Sequence, residues 1–210
     1  MNAVIGHWSH ENQKRVEAII AAYPQRRSAI MPLLYLASLE HRYVSEDAMR
    51  EVAELVEITP VQVHSVASFY TMFKKNDVGD YIVSVCTSIS CYLNGADDVL
   101  AAAQETAESV ASDSDDDVAV ISVEHVECIG ACGGATAVQV NYELLEGVTP
   151  ERAIALVNWL SDTRPEVVLA DEMQQLFGGR RSFDWGSTES FGATGPVPAF
   201  GPYGSAQEGR

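Results

Sequence analysis

Apolar positions recur at helical spacing through the first third of the chain. Val16, Ile19, Ile20 and Tyr23 fall on one face, and Pro24 stops that run. Ser28 is placed to cap a second helix carrying Leu33, Leu36, Ala37 and Leu39. Its Pro32 falls in the first turn, where a missing N–H costs little. Ser45 opens a third, with Glu46 and Asp47 at the positive end of its dipole and Met49, Val52, Ala53 and Val56 as its stripe. Thr59, Pro60 and Gln62 supply a cap, an N1 proline and the far half of a capping box, so a fourth helix starts there. The run at 68–73 (SFYTMF) is densely apolar and is expected to pack between this helical unit and the next domain, with no chemistry at Tyr70.

From about residue 80 the period changes. Residues 81–85 (YIVSV) and 118–123 (VAVISV) read as strands, separated by a helix from about Ala96 whose inner face is Val99, Leu100 and Ala103. Residues 137–140 and 143–146 read as a hairpin turning at Asn141-Tyr142. Thr149-Pro150 starts a last helix with Ile154, Val157 and Leu160 inward. The β-α-β-β-α order implies a small sheet with helices packed against it. From about 162 the chain changes character, and no apolar periodicity survives past Leu176. This stretch holds eight of the fifteen glycines and half of the eight prolines, and reads as lying outside the core. The division is therefore 1–79, 80–161 and 162–210.

Charge sharpens this division. The net −17 is distributed as −2, −12 and −3 over residues 1–80, 81–161 and 162–210, and Arg152 is the lone base of the middle segment. Such a surface repels nucleic acid and anionic lipid; it is either a solvated acidic face or one that meets a cationic patch on a partner protein. No apolar run is long enough to span a bilayer. The first residues lack a basic stretch followed by an apolar one, so no secretory leader is expected. There is neither a GxGxxG after a strand nor a P-loop lysine motif, so no nucleotide site is expected.

The entire cysteine content sits in the acidic segment, as Cys86/Cys91 and Cys128/Cys132. Each pair comes after a predicted strand, so both can meet at one end of the sheet. Four soft ligands on two loops point to a metal site. Zinc knuckles usually use tighter Cys-x2-Cys spacings. The wider x4 and x3 loops suit a [2Fe–2S] cluster, whose two irons each take two thiolates. Residues 87–90 supply three hydroxyls, and Gly130, Gly133 and Gly134 would let backbone approach inorganic sulfide. A four-cysteine zinc module, two disulfides and a thiol-redox centre are the alternatives open at this point. The five histidines are read as surface or core residues; His125 precedes Cys128 but has no second Cys/His pair beside it.

Several stretches together resemble one family. Residues 23–34 (YPQRRSAIMPLL), 66–73 (VASFYTMF), 85–91 (VCTSISC), 126–132 (VECIGAC), 138–141 (VQVN) and 145–151 (LEGVTPE) are similar to the small [2Fe–2S] subunit of bacterial NADH:quinone oxidoreductase (respiratory complex I), the NuoE type. Equivalent subunits of NAD-linked hydrogenases and formate dehydrogenases share these features. The resemblance covers about 11–161. It implies an N-terminal helical bundle followed by a thioredoxin-like [2Fe–2S] domain, which with the irregular C-terminal tail read from composition makes an α/β chain. It also implies that Cys86, Cys91, Cys128 and Cys132 hold one cluster. FMN and NAD would sit on a partner flavoprotein, from which electrons arrive one at a time, and further Fe–S subunits would complete the complex. The chain would be a non-autonomous part of an oxidoreductase, cytoplasmic and peripheral to the inner face of the plasma membrane. One departure stands out. Thr136 occupies a place where the family usually has proline, which leaves the backbone there free to donate. The tail lies outside the resemblance. Its Phe177, Phe183, Trp185, Phe191, Phe200 and Tyr203 suggest an extended segment anchored on neighbouring subunits, removable after Ser161 without loss of fold; the alternative is that these aromatics fold back on the chain's own domain.

Overall fold

The computed structural model describes residues 8–112, 120–183 and 195. Two compact units part between Asp77 and Val78. In the first, α1 (His10–Ala21), α2 (Ile30–His41), α3 (Glu46–Val56) and α4 (Pro60–Phe69) form a helical bundle. A helix apolar on every side must be enclosed. Accordingly α2 buries Ile30, Leu33, Leu34, Tyr35, Leu36 and Ala37. Its predicted start is displaced: Ser28 lies in a 3-10 turn (Arg26–Ala29), and Ala29 is the residue before the helix. The other start signals act as their chemistry requires. Ser45 accepts the Ala48 N–H at 3.1 Å, and the Thr59 N–H donates to Gln62 Oε1 at 3.1 Å. Met49, Val52, Ala53 and Val56 are buried along α3. The cluster after α4 divides. Phe73 is buried, but Phe69 and Tyr70 are exposed, so these two are not the packed residues expected from the apolar run.

The second unit is built on a sheet ordered β2-β1-β3-β4. The central strand β1 (Tyr81–Cys86) runs parallel to β2 (Ile121–Val126) and antiparallel to β3 (Val138–Val140), which turns into β4 (Glu143–Leu145). Every residue of β1 is buried. Tyr81, Val83 and Val85 share one core with residues of α6 (Ala96–Ser112), α7 (Pro150–Thr163) and α8 (Ala170–Phe177). β2 runs in register with β1 from Ile121 opposite Tyr81 to Val126 opposite Cys86; Val118 and Ala119 of the predicted run lie outside the described residues. The hairpin turns at Asn141 (φ 48°) and Tyr142 (φ 72°), both left-handed as a two-residue connection demands. The Asn141 side chain accepts the Ile82 N–H at 2.8 Å and donates to Asp80 O at 3.1 Å, so the turn is fastened to β1.

The largest difference from the sequence reading concerns residues 162–183. They do not leave the unit. Val168, Met173 and Phe177 enter its core, and the Phe177 and Trp159 rings pack 5.5 Å apart. An eight-residue helix shows too few turns for its stripe to register as a period; here the buried stripe is just Met173 and Phe177, four apart. The aromatics from Trp185 onward lie outside the described residues. No helix among the described residues is long and apolar enough to cross a membrane.

Candidate metal centre

Parallel pairing of β1 and β2 sets Cys86 beside Val126, two residues before Cys128. Both cysteine loops therefore leave the same end of the sheet. The first is not a plain loop. It contains a short helix, α5 (Ile89–Leu93), whose Cys91 turns inward while Ile89, Tyr92 and Leu93 are 71%, 56% and 74% exposed. The second loop closes on a 3-10 turn, Cys132–Gly134.

Ala137 joins the first pair from the far side of the sheet. Its carbonyl accepts the Cys86 N–H at 3.0 Å, and its N–H donates to Cys91 Sγ at 3.4 Å. Cys86 and Cys91 are buried with Ala96, Ala131 and Ala137, flanked by Ile129, Ala135 and Leu144. Cys128 and Cys132 are exposed, and their sulfurs lie 3.8 Å apart, a non-bonded separation. All four thiols are free. Burial pushes the Cys91 thiol up to about 11; the Ala137 N–H pulls it down, while Cys86 and Cys132 push it further up. Binding a thiophilic group at Cys91 must therefore release a proton.

The donor set fits an iron–sulfur group. Two sulfurs stand in a dry wall of small apolar side chains, two more stand on the open side, and one N–H already points at sulfur. Among the described residues no group of three or more His, Cys, Asp or Glu side chains is already gathered round a single metal ion. The glycines divide in a way that sequence did not suggest. Gly130 (φ 94°) faces open space, as a residue close to a bound group would. Gly133 and Gly134 are instead covered by this chain: a Cβ on Gly133 would stand 2.8 Å from Ser182 Cβ, and one on Gly134 2.8 Å from Arg180 O. Thr136 is buried, and its hydroxyl donates to Asn94 O at 3.3 Å, linking the segment after Cys132 to the end of α5; the Ala135–Thr136 peptide is cis.

Glu146 and Ser182 went unread at the sequence level. The buried Glu146 carboxylate accepts from the Ser182 N–H at 3.0 Å and from its hydroxyl. The two are 36 residues apart, and no local motif announces them.

Residues 16–161 match the family model described as thioredoxin-like [2Fe-2S] ferredoxin. Among curated relatives, the NADH-quinone oxidoreductase E subunit of Mycobacterium tuberculosis is 38% identical over 148 residues, 70% of this chain and 58% of that protein. The chain thus spans less than two thirds of its mycobacterial relatives. The NADH-quinone oxidoreductase E subunit of Rickettsia bellii is 36% identical over 169 residues, covering 76% of this chain and 98% of that one. NADH dehydrogenase [ubiquinone] flavoprotein 2, mitochondrial, of Dictyostelium discoideum is 34% identical over 161 residues, 75% of this chain and 65% of that one. Among solved structures, an NAD+-reducing [NiFe]-hydrogenase in the H2-reduced state superposes with a TM-score of 0.51 at 17% identity, over 70% of this chain and 24% of that chain, a likeness of fold.

Proposed function

This chain belongs to the thioredoxin-like [2Fe–2S] ferredoxin family, and from that membership we propose that it is the one-electron subunit of the NADH-oxidising module of an NADH:quinone oxidoreductase. Cys86, Cys91, Cys128 and Cys132 would hold one [2Fe–2S] cluster. The observation that carries this reading is the pairing of two buried and two exposed free thiols at one end of one sheet. Such a group, when bound, takes up and gives back a single electron.

The protein's own residues supply the rest. Cys86 and Cys91 anchor on the dry side, away from water. The Ala137 N–H offers a hydrogen bond to thiolate, one of the levers on potential. Cys128 and Cys132 stand on the exposed side, where a partner can approach. Ile89, Tyr92 and Leu93 give that partner an apolar footing beside the site. FMN and NAD belong to the partner, a flavoprotein with a cationic face. Further Fe–S subunits complete the assembly at the inner face of the plasma membrane.

The test is anaerobic purification with a visible spectrum and iron, zinc and acid-labile sulfide assays. Iron and sulfide in equal amounts are expected. One tightly held zinc without sulfide overturns the cluster. NADH oxidation should require the co-purifying flavoprotein; turnover by the pure flavin-free chain contradicts the division of labour.

A further inference from the structure

The chain that follows α8 lies directly on the glycines that follow Cys132, and it does so beyond the end of the family match at residue 161. Gln174 starts the arrangement: its Oε1 accepts the Glu146 N–H at 2.9 Å, and its amide donates to Glu146 O at 3.1 Å and to Gly179 O at 3.2 Å. The Gly179 N–H donates to Glu146 O at 2.8 Å. Arg181 pairs with Asp171 of α8 at 2.9 Å, holding the returning segment to its own helix. Ser182 then gives both its N–H and its hydroxyl to Glu146 Oε1.

Glu146 is 2% exposed, and a carboxylate so placed is costly without donors. Ser182 supplies two. The same carboxylate rests on Gly134, whose absent Cβ would meet Glu146 Cδ at 2.8 Å. Gly134 O also accepts the Gly147 N–H at 2.7 Å. Cys132 is thus tied through Gly133 and Gly134 to Glu146 and Ser182. The two glycines are needed because this segment covers them.

We propose that residues 178–182 form a strap over the Cys132 loop, latched by Glu146 and Ser182, which governs how firmly the bound iron–sulfur group is held. Its effect on the group rests on the cluster reading above, but the latch itself is a property of the polypeptide. Removing the latch lets the Cys132 side of the site open locally while the core of α6, α7 and α8 stays packed.

The experiment uses the full chain with Ser182→Ala, Glu146→Gln, the double variant, and Met173→Ala, which weakens the core without touching the latch. Iron release to bathophenanthroline is timed, and melting is recorded alongside. Ser182→Ala and Glu146→Gln should each speed release about tenfold, and the double variant should be no faster than the quicker single one, since both break one unit. Met173→Ala should lower the melting temperature more and release iron less. Release in the latch variants that equals wild type, or merely follows melting temperature across all variants, overturns the strap. If the wild-type chain carries no iron or sulfide, the cluster reading falls by itself. The latch is then judged by amide exchange at Gly147: faster exchange in Ser182→Ala supports it, and unchanged exchange overturns it.

Discussion

The Ala137 N–H points at Cys91 Sγ from 46 residues away, and that sulfur is enclosed by small apolar side chains. Replacing Cys91 by serine exchanges a soft ligand for a poor one inside a dry wall. Iron and sulfide content should fall to a small fraction of wild type, and an unchanged content would remove Cys91 from the ligand set. Tyr81 offers a pH-dependent case at the same scale. Burial, with Asp80 next, raises its phenol above the usual 10.0, against a smaller downward pull from Arg164. The folded state therefore favours the neutral phenol, whose hydroxyl donates to Pro165 O at 2.8 Å. That contribution is full below the ordinary tyrosine value and is lost as pH rises through the higher folded one. Tyr81→Phe should cost about 1 kcal/mol near neutrality and should flatten the loss of stability above about pH 10. An alkaline unfolding curve identical to wild type would show that Tyr81 does not carry the effect.

At the scale of elements, α8 decides how much chain the second unit needs. Met173 is fully buried and Phe177 nearly so, beside Val168 and Trp159. Met173→Ala should cost about 2–5 kcal/mol, read as a lower urea midpoint with an unchanged slope. Removal of everything after Ser161 strips the same contacts. It should lower the melting temperature of the isolated chain, opposite to what the glycine-rich composition of this stretch suggests; an unchanged melting temperature would mean α8 contributes no net stability. The short helix α5 has a different part. It turns Cys91 inward and leaves Ile89, Tyr92 and Leu93 on the surface beside the site. A loop of the same length without helical turns would not separate these residues onto opposite sides.

Across the whole molecule, charge is segregated. Residues 81–161 carry net −12 of the total −17, and the thiols lie in that segment. A partner that docks there meets a strong negative field, so association should be fast at low salt and slow as ionic strength rises past about 0.15 M, where the Debye length is about 8 Å. Association rates measured against the flavoprotein should fall with salt, while dissociation changes less. Rates indifferent to salt would show that the apolar footing alone guides docking.

Local chemistry was legible along the chain because its causes lie within a few residues. Ser45, Thr59 and Thr149 cap the helices that come after them. Asn141 and Tyr142 turn the hairpin, and the spacing of Cys86, Cys91, Cys128 and Cys132 is enough to raise the proposal of a soft-metal site without reference to the fold. Tertiary structure decided which of those thiols stand in the dry and which in the open. That depends on Ala137, and on the register of β1 with β2, not on spacing. It also decided that Phe69 and Tyr70 stay outside, that Met173 and Phe177 go in, and that Gly133 and Gly134 make room for Ser182 and Arg180. Each of these outcomes is set by atoms tens of residues apart. Side-chain periodicity and capping report on neighbours in sequence, whereas burial reports on neighbours in space.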